Sequence, residues 1–343
     1  MANVYRADQP GSLLAPNAAP AGSVDAEAVR ALLAFQKECG IDVVTDGQVL
    51  RASPCAIFVE NVAGVLSAPE GKAPSSPHVA GRLERKARLT AAEVAILKGA
   101  ATGAFKICLP TPTVAALQMF REGITDAHYP TRRDLAAALA AILREEIQDL
   151  IAEDVSYIQL DGPAYELAAE RAGAARLGNV DEMLRLDAQA LKELHKPERI
   201  ALALRVPRAR EAGGVASEAP GSTAKRAAML ESALTRMPVD RFLIEFPANP
   251  QEADFAPLGA VPAGKMAVLG LVDPLAARPD EVDPLLDKLD LAVNFIGAER
   301  LALSPRRGFA GPGIANDLKA FDAQRRSLTL TVEAARRFWG FEM

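Results

Sequence analysis

The stretch Tyr157-Ile158-Gln159-Leu160-Asp161-Gly162-Pro163 carries the reading that decides the fold. A short apolar run ends on an aspartate and then on Gly-Pro, a turn signal that stops a strand. Runs of this kind recur along the chain, giving candidate strands at residues 4–7, 41–45, 105–109, 157–160, 200–205, 242–245, 266–269 and 301–303. Most are too uniformly apolar for a sheet with one wet face, and amphipathic helical patterns separate them. Both features belong to parallel strands covered by helices. The predicted fold is therefore α/β, a (β/α)8 barrel, with 1–343 as a single domain.

Length and composition agree with this. At 343 residues and 50% apolar content, the chain suits one barrel with an insertion and a large core. A net charge of −5 offers no footprint for nucleic acid. No apolar run is long enough to span a bilayer, and Met1-Ala2-Asn3-Val4-Tyr5-Arg6 lacks the apolar centre of a signal peptide. A cytoplasmic protein that takes a small-molecule substrate, with no membrane contact, is expected; a homo-oligomer is compatible with it. Cys39, Cys55 and Cys108 show no spacing that suggests a disulfide framework.

The helices carry their own punctuation. Ser23 is placed to cap a helix that Gly40 ends. Thr90 and Glu93 have the spacing of a capping box. Leu135, Leu139, Ile142, Leu143, Ile147, Leu150 and Ile151 recur at helical spacing, so one face of 132–153 should be buried. Asn179 opens a further helix through Leu184, Leu191 and Leu194. Two segments break the rhythm. Residues 48–90 are too long for a βα connection and read as a β-hairpin excursion after the second strand, built on runs at 56–65 and 82–89 with a tip at 69–78. Residues 207–223, rich in Gly, Ala, Ser and Pro, read as a long active-site loop. Both follow strand C-terminal ends and are expected to fold over the barrel mouth.

Barrel enzymes place their chemistry at the C-terminal ends of the strands. That rule selects Gln9, Asp46, residues 110–113, Asp161, residues 205–210, Glu245, Asp273, Arg306 and Arg307. Arginines and carboxylates dominate the set, and it contains neither His nor Cys. A metal cluster or a Cys–His nucleophile pair is not expected there. Asp46 and Asp161 each precede a glycine, where an aspartate also serves as a turn or capping residue. Glu245 could be neutralised by Arg205 or Arg208 on the neighbouring strand.

Several segments together resemble the cobalamin-independent methionine synthase family. Arg6-Ala7-Asp8-Gln9-Pro10-Gly11-Ser12-Leu13-Leu14 resembles that family's opening R-A-D-H-V-G-S-L-L. Val43-Val44-Thr45-Asp46-Gly47 is similar to V-V-T-D-G-E, with Gln48 in place of the glutamate. Phe105-Lys106-Ile107-Cys108-Leu109-Pro110-Thr111-Pro112 resembles F-K-x-x-L-P-S-P, and Tyr157 through Ala164 resembles Y-I-Q-L-D-E-P-A except at Gly162. Residues 265–272 resemble G-K-x-V-x-L-G-L-V, and Ser304-Pro305-Arg306-Arg307-Gly308-Phe309-Ala310 a late motif with cysteine where Arg307 stands. The likeness runs from about Arg6 to Phe309.

The resemblance implies a barrel that brings a thiol to zinc and methylates it. The implied zinc ligands are a His and a Cys of H-x-C-R-G-N, a Glu on the next strand and the late Cys. These fall on Arg205, Pro207, Glu245 and Arg307, so one ligand of the set remains. A guanidinium stays protonated and offers no lone pair, and a lone carboxylate does not make a zinc site. No cofactor and no metal are therefore expected. The candidate catalytic groups are Asp46, Asp161 and Glu245; the candidate substrate contacts are Gln9, Ser12, Arg205, Arg208 and Arg307. The leading reading is a methyl- or alkyl-transferase homologue acting without metal on a small anion. Alternatives are a metal-independent lyase of the uroporphyrinogen decarboxylase type and a non-catalytic binding protein.

Overall fold

A computed structural model describes residues 4–15, 24–67, 77–163, 165, 177–208, 222–273, 281–310 and 317–340. The strands among them are β1 (Val44–Thr45), β2 (Val62–Leu66), β3 (His78–Arg85), β4 (Phe105–Pro110), β5 (Tyr157–Asp161), β6 (Ala201–Val206), β7 (Arg241–Glu245), β8 (Met266–Val272) and β9 (Leu301–Pro305). One parallel sheet takes the order β1-β4-β5-β6-β7-β8-β9, and β2 pairs antiparallel with β3. Helices Arg132–Ala152, Val180–Gln189, Ser222–Arg236, Val282–Val293 and Leu318–Trp339 link or follow successive strands of the parallel sheet.

The first candidate strand, 4–7, is reduced to a single parallel bridge from Ala7 to Leu303. Asp8 N donates to Leu303 O and Leu303 N to Arg6 O, while Asp42 N donates to Ala7 O, so this segment lies between β9 and the approach to β1 and closes the barrel. Its shortness has a chemical cause. The Asp42 carboxylate takes the amides of Arg6 (2.6 Å) and Ala7 (2.8 Å), and Pro10 has no amide to extend a ladder.

Alternation along the strands splits the core in two. Outward side chains such as Ile107, Leu109, Ile158, Leu160 and Leu204 join the layer under the helices. Tyr5, Val43, Tyr157, Ala201, Ala203, Leu243, Val268 and Ala302 form a separate cluster inside the barrel. Helix Arg132–Ala152 buries Leu135, Leu139, Ile142, Leu143, Ile147 and Leu150 as its period requires, and Thr131 with Asp134 supplies a capping box. Asn179 and Glu182 do the same for Val180–Gln189, which ends before Leu191 and Leu194. Gly40, at φ 83, ends Ala26–Cys39 in the left-handed conformation. That helix is capped by Asp25, whose side chain accepts from Ala28 N; Ser23 lies outside the described residues.

The excursion differs in detail from its sequence reading. Residues Pro54–Phe58 form a 3-10 turn and not strand, and the second strand of the hairpin starts earlier, at His78. Thr90 and Glu93 make no capping box. The Thr90 hydroxyl instead donates to Glu146, and Glu93 pairs with Arg51 at 2.8 Å. A distant carboxylate outcompeted the local cap because Glu146 is fully buried and collects Leu89 N, Thr90 N, Thr90 Oγ1 and the Arg85 guanidinium. Arg85 also reaches Asp149, Tyr129 OH accepts from Leu83 N, and Thr125 Oγ1 donates to Val79 O. The described part of the hairpin thus leans on helix Arg132–Ala152 and the turn before it. Residues 68–76 of the tip and 209–221 of the long loop lie outside the described residues.

Glu146 should accordingly carry much of the attachment. Glu146→Ala leaves buried donors without a partner and is expected to destabilise by about 3–5 kcal/mol. Lys98→Ala, which removes only the exposed pair to Glu153, should cost under about 1 kcal/mol. Denaturant unfolding of the two variants reads the contrast.

Candidate active site

Strand register assembles the mouth. Asp161 on β5 pairs with Arg205 on β6, and Glu245 on β7 pairs with Gly270 on β8, which pairs with Ser304 on β9. Each lies two residues beyond an interior side chain or continues its alternation: Tyr157 and Gln159 lead to Asp161, Ala203 to Arg205, and Leu243 to Glu245. Asp161, Arg205 and Glu245 therefore share the inward face at the C-terminal end of the barrel. Arg205 is half-buried, and no hydrogen bond or ion pair joins its guanidinium to a described residue.

Below that ring lies a polar axis. The Lys106 ammonium, fully buried, contacts Asp8 Oδ1 (2.5 Å), Gln9 O and Gln159 Oε1 (3.1 Å), and stacks over the Tyr157 ring at 4.7 Å. Tyr157 OH donates to Asp8 Oδ2 at 2.9 Å. Gln159 Nε2 donates to Asp161 Oδ1 and to Pro10 O, each at 2.8 Å, and Gln48 Nε2 reaches Asp161 Oδ2 at 3.2 Å. Lys106, Gln159 and Gln48 were absent from the candidate residues. Lys106 had a readable signal: a lysine at the second position of an apolar strand, on the same face as Cys108 by alternation.

The other candidates divide. Asp46 is sealed beside Thr45 and Arg51; burial pushes its carboxyl above the usual range, with the Arg51 charge opposing. Gln9 is fully buried, and its Oε1 accepts from Gly11 N. Ser12 serves the turn after β9: its hydroxyl donates to Ala310 O, its carbonyl accepts from Phe309 N, and a Cβ on Gly308 would stand 1.8 Å from its Oγ. That glycine is needed for the close approach, and Ser12 is occupied in fastening it. Arg208 donates its backbone amide to Glu245 Oε2 at 3.0 Å and lines a cleft with Glu245, Phe246 and Arg226. Arg226 holds strand ends together through Val206 O, Pro207 O and Glu245 O. Arg306 is paired with Asp273 at 2.5 Å, and Arg307 follows directly after it. Cys55 and Cys108 are buried thiols, each pushed up by burial to about 12. Among the described residues no His, Cys, Asp and Glu side chains gather into a metal-ligating group of three.

Residues 21–336 match the family described as cobalamin-independent synthase, catalytic domain. The chain belongs to that family. A 5-methyltetrahydropteroyltriglutamate–homocysteine methyltransferase of Herpetosiphon aurantiacus is 30% identical over 153 residues, covering 42% of this chain and 20% of that protein. The match thus spans about a fifth of the relative's length. Bacillus subtilis YxjH is 24% identical over 368 positions, 98% of this chain and 95% of its own. Among solved structures, a putative vitamin-B12-independent methionine synthase of Listeria monocytogenes has a TM-score of 0.75 at 20% identity, covering 99% of this chain and 100% of its own. A B12-independent methionine synthase of Shewanella sp. W3-18-1, in complex with selenomethionine, has a TM-score of 0.71 at 19% identity, covering 97% and 98%. These likenesses fix the barrel fold. No described helix is long and apolar enough to cross a membrane.

One buried carboxyl, held by the turn just past β4, ties the stability of the fold to pH. Asp187 is fully buried, and burial raises its titration to about 6 against donation from Thr113 N, Thr113 Oγ1 and Tyr165 OH. It holds the start of helix Pro112–Met119, just past β4. The folded chain favours its protonated form, so its support is full below about pH 4 and is lost as pH rises through about 6. The difference from the ordinary 3.8 corresponds to about 3 kcal/mol. Relative to wild type, Asp187→Asn should therefore gain about 2 kcal/mol between pH 4 and pH 7. Urea unfolding at both pH values reads this, and parallel profiles would contradict it.

Proposed function

We propose that this member of the family is a transferase-type enzyme that works without zinc on a small anion bearing an amino group. The observation that carries the proposal is the register pair Asp161–Arg205 at the mouth. A guanidinium with no described partner suits a carboxylate, bidentately. The carboxylate beside it, supplied only by neutral amide donors, has acceptor capacity left for an ammonium. An α-amino acid presents both groups, and the selenomethionine complex of the Shewanella neighbour supports this class of ligand.

The donor set argues against a zinc site. Of the four implied positions Arg205 and Arg307 are cations, Pro207 has no side-chain donor, and only Glu245 can ligate. The Glu245 carboxylate already accepts from Arg208 N. Cys108 offers no thiolate, since burial holds its thiol near 12. Without a metal, a substrate thiol of ordinary pKa is ionised to only a few per cent at neutral pH, so activation would have to come from a neighbouring base. Glu245, two residues along β7 from Leu243, the register partner of Arg205, is the group we assign that proton. Homocysteine methylation of the zinc-dependent kind is accordingly not the reaction this site favours.

Two measurements test the proposal. Arg205→Met should weaken binding of L-methionine about tenfold or more, as one charged hydrogen-bonded contact of roughly 1.5–3 kcal/mol predicts. Equal affinities in calorimetry would make Arg205 structural and favour a non-catalytic protein. Protein purified without chelators should carry no stoichiometric zinc; about one zinc per chain, lost in Glu245→Ala, would overturn the metal-free reading.

A further inference from the structure

We infer that Lys106 and Gln159 are positioning residues that act on the site through Asp161, an inference that rests on reading Asp161 as the ligand's ammonium contact. The Lys106 ammonium has three protons and meets three acceptors, Asp8 Oδ1, Gln9 O and Gln159 Oε1. An ammonium can only donate, so the oxygen of the Gln159 amide must face it. Its nitrogen is thereby turned to the other side, where its two protons go to Pro10 O and Asp161 Oδ1, each at 2.8 Å. The second oxygen of Asp161 receives Gln48 Nε2 at 3.2 Å. Gln48 lies at φ 57, a conformation that a residue with a side chain rarely adopts, and this is where its amide reaches Asp161.

Each Asp161 oxygen thus takes one proton from a neutral amide and retains a lone pair. The carboxylate is fixed in orientation without being neutralised by a cation. Were position 106 able to accept as well as donate, the Gln159 amide could turn over. Its oxygen would then face the Asp161 carboxylate, acceptor against acceptor.

The test has a ligand-free arm and a ligand arm. In the free protein, NMR exchange of the Gln159 side-chain amide should be at least about tenfold faster in Lys106→Gln than in wild type. For the ligand arm, calorimetry compares L-methionine with 4-(methylthio)butanoate, the same molecule without its amine. Wild type should prefer the amine-bearing ligand; Gln159→Met should reduce that preference about tenfold while binding of 4-(methylthio)butanoate stays within about twofold. A merely structural role would weaken both ligands together. Unchanged amide exchange in Lys106→Gln, or an amine preference that survives Gln159→Met, would overturn the inference. If Lys106→Gln does not fold, the Gln159→Met comparison decides. If wild type shows no amine preference, the proposed function fails, and the exchange arm still decides whether Lys106 orients Gln159.

Discussion

An ammonium group lies in the middle of this barrel, and much of the site depends on how it is satisfied. Leaving Lys106 buried and unpaired would cost several kcal/mol, so its three protons oblige three acceptors to converge on it. Asp8 and the Gln9 carbonyl come from the segment that closes the barrel, and Gln159 from β5. Closure and site geometry are therefore one constraint. The short first stave needs no long ladder, because Asp8 is anchored by Lys106 and Tyr157 as well as by its bond to Leu303.

Above this axis the charges differ in what they hold. Arg226 and Arg306 tie strand ends to one another, and Ser12 fastens the turn after β9. Asp46 is walled in with Arg51 and Glu93. Asp161, Arg205 and Glu245 face inward at the rim, and the Glu245 carboxylate takes the Arg208 amide. The family likeness supplies the barrel, while Arg205, Pro207 and Arg307 stand at three of the four positions where the resemblance implies zinc ligands. A barrel can keep its staves while its strand-end residues change function, because the core that stabilises it lies below and outside them.

The strands were readable because parallel, doubly covered strands are apolar along their whole length, and the βα order followed from that. Strand 4–7 was overcounted because its apolar pattern is real while its amides are claimed by Asp42. The Thr90–Glu93 spacing promised a capping box, but Glu146 and Arg51 took its members. Such competition is set by burial across 42 and 56 residues of separation and leaves no local trace. At the site, the rule of strand C-terminal ends picked out Asp161, Arg205 and Glu245, which lie at or near the ends of β5, β6 and β7, with Asp161 inside its strand and not just past it. The bond from the Ser12 hydroxyl to Ala310 O, across 298 residues, has no local trace in the sequence. The support beneath Asp161 was missed because charged and amide side chains inside an apolar strand read as interruptions, when here they face the barrel axis.

The central claim is that the rim binds a zwitterion with Arg205 and Asp161 and leaves Glu245 without a metal. It is tested most directly by a crystal structure of the protein grown with L-methionine and zinc present together. The ligand carboxylate should lie on the Arg205 guanidinium and its ammonium on Asp161, with no metal at Glu245. A tetrahedral metal on Glu245, or a ligand bound away from Arg205, would contradict it.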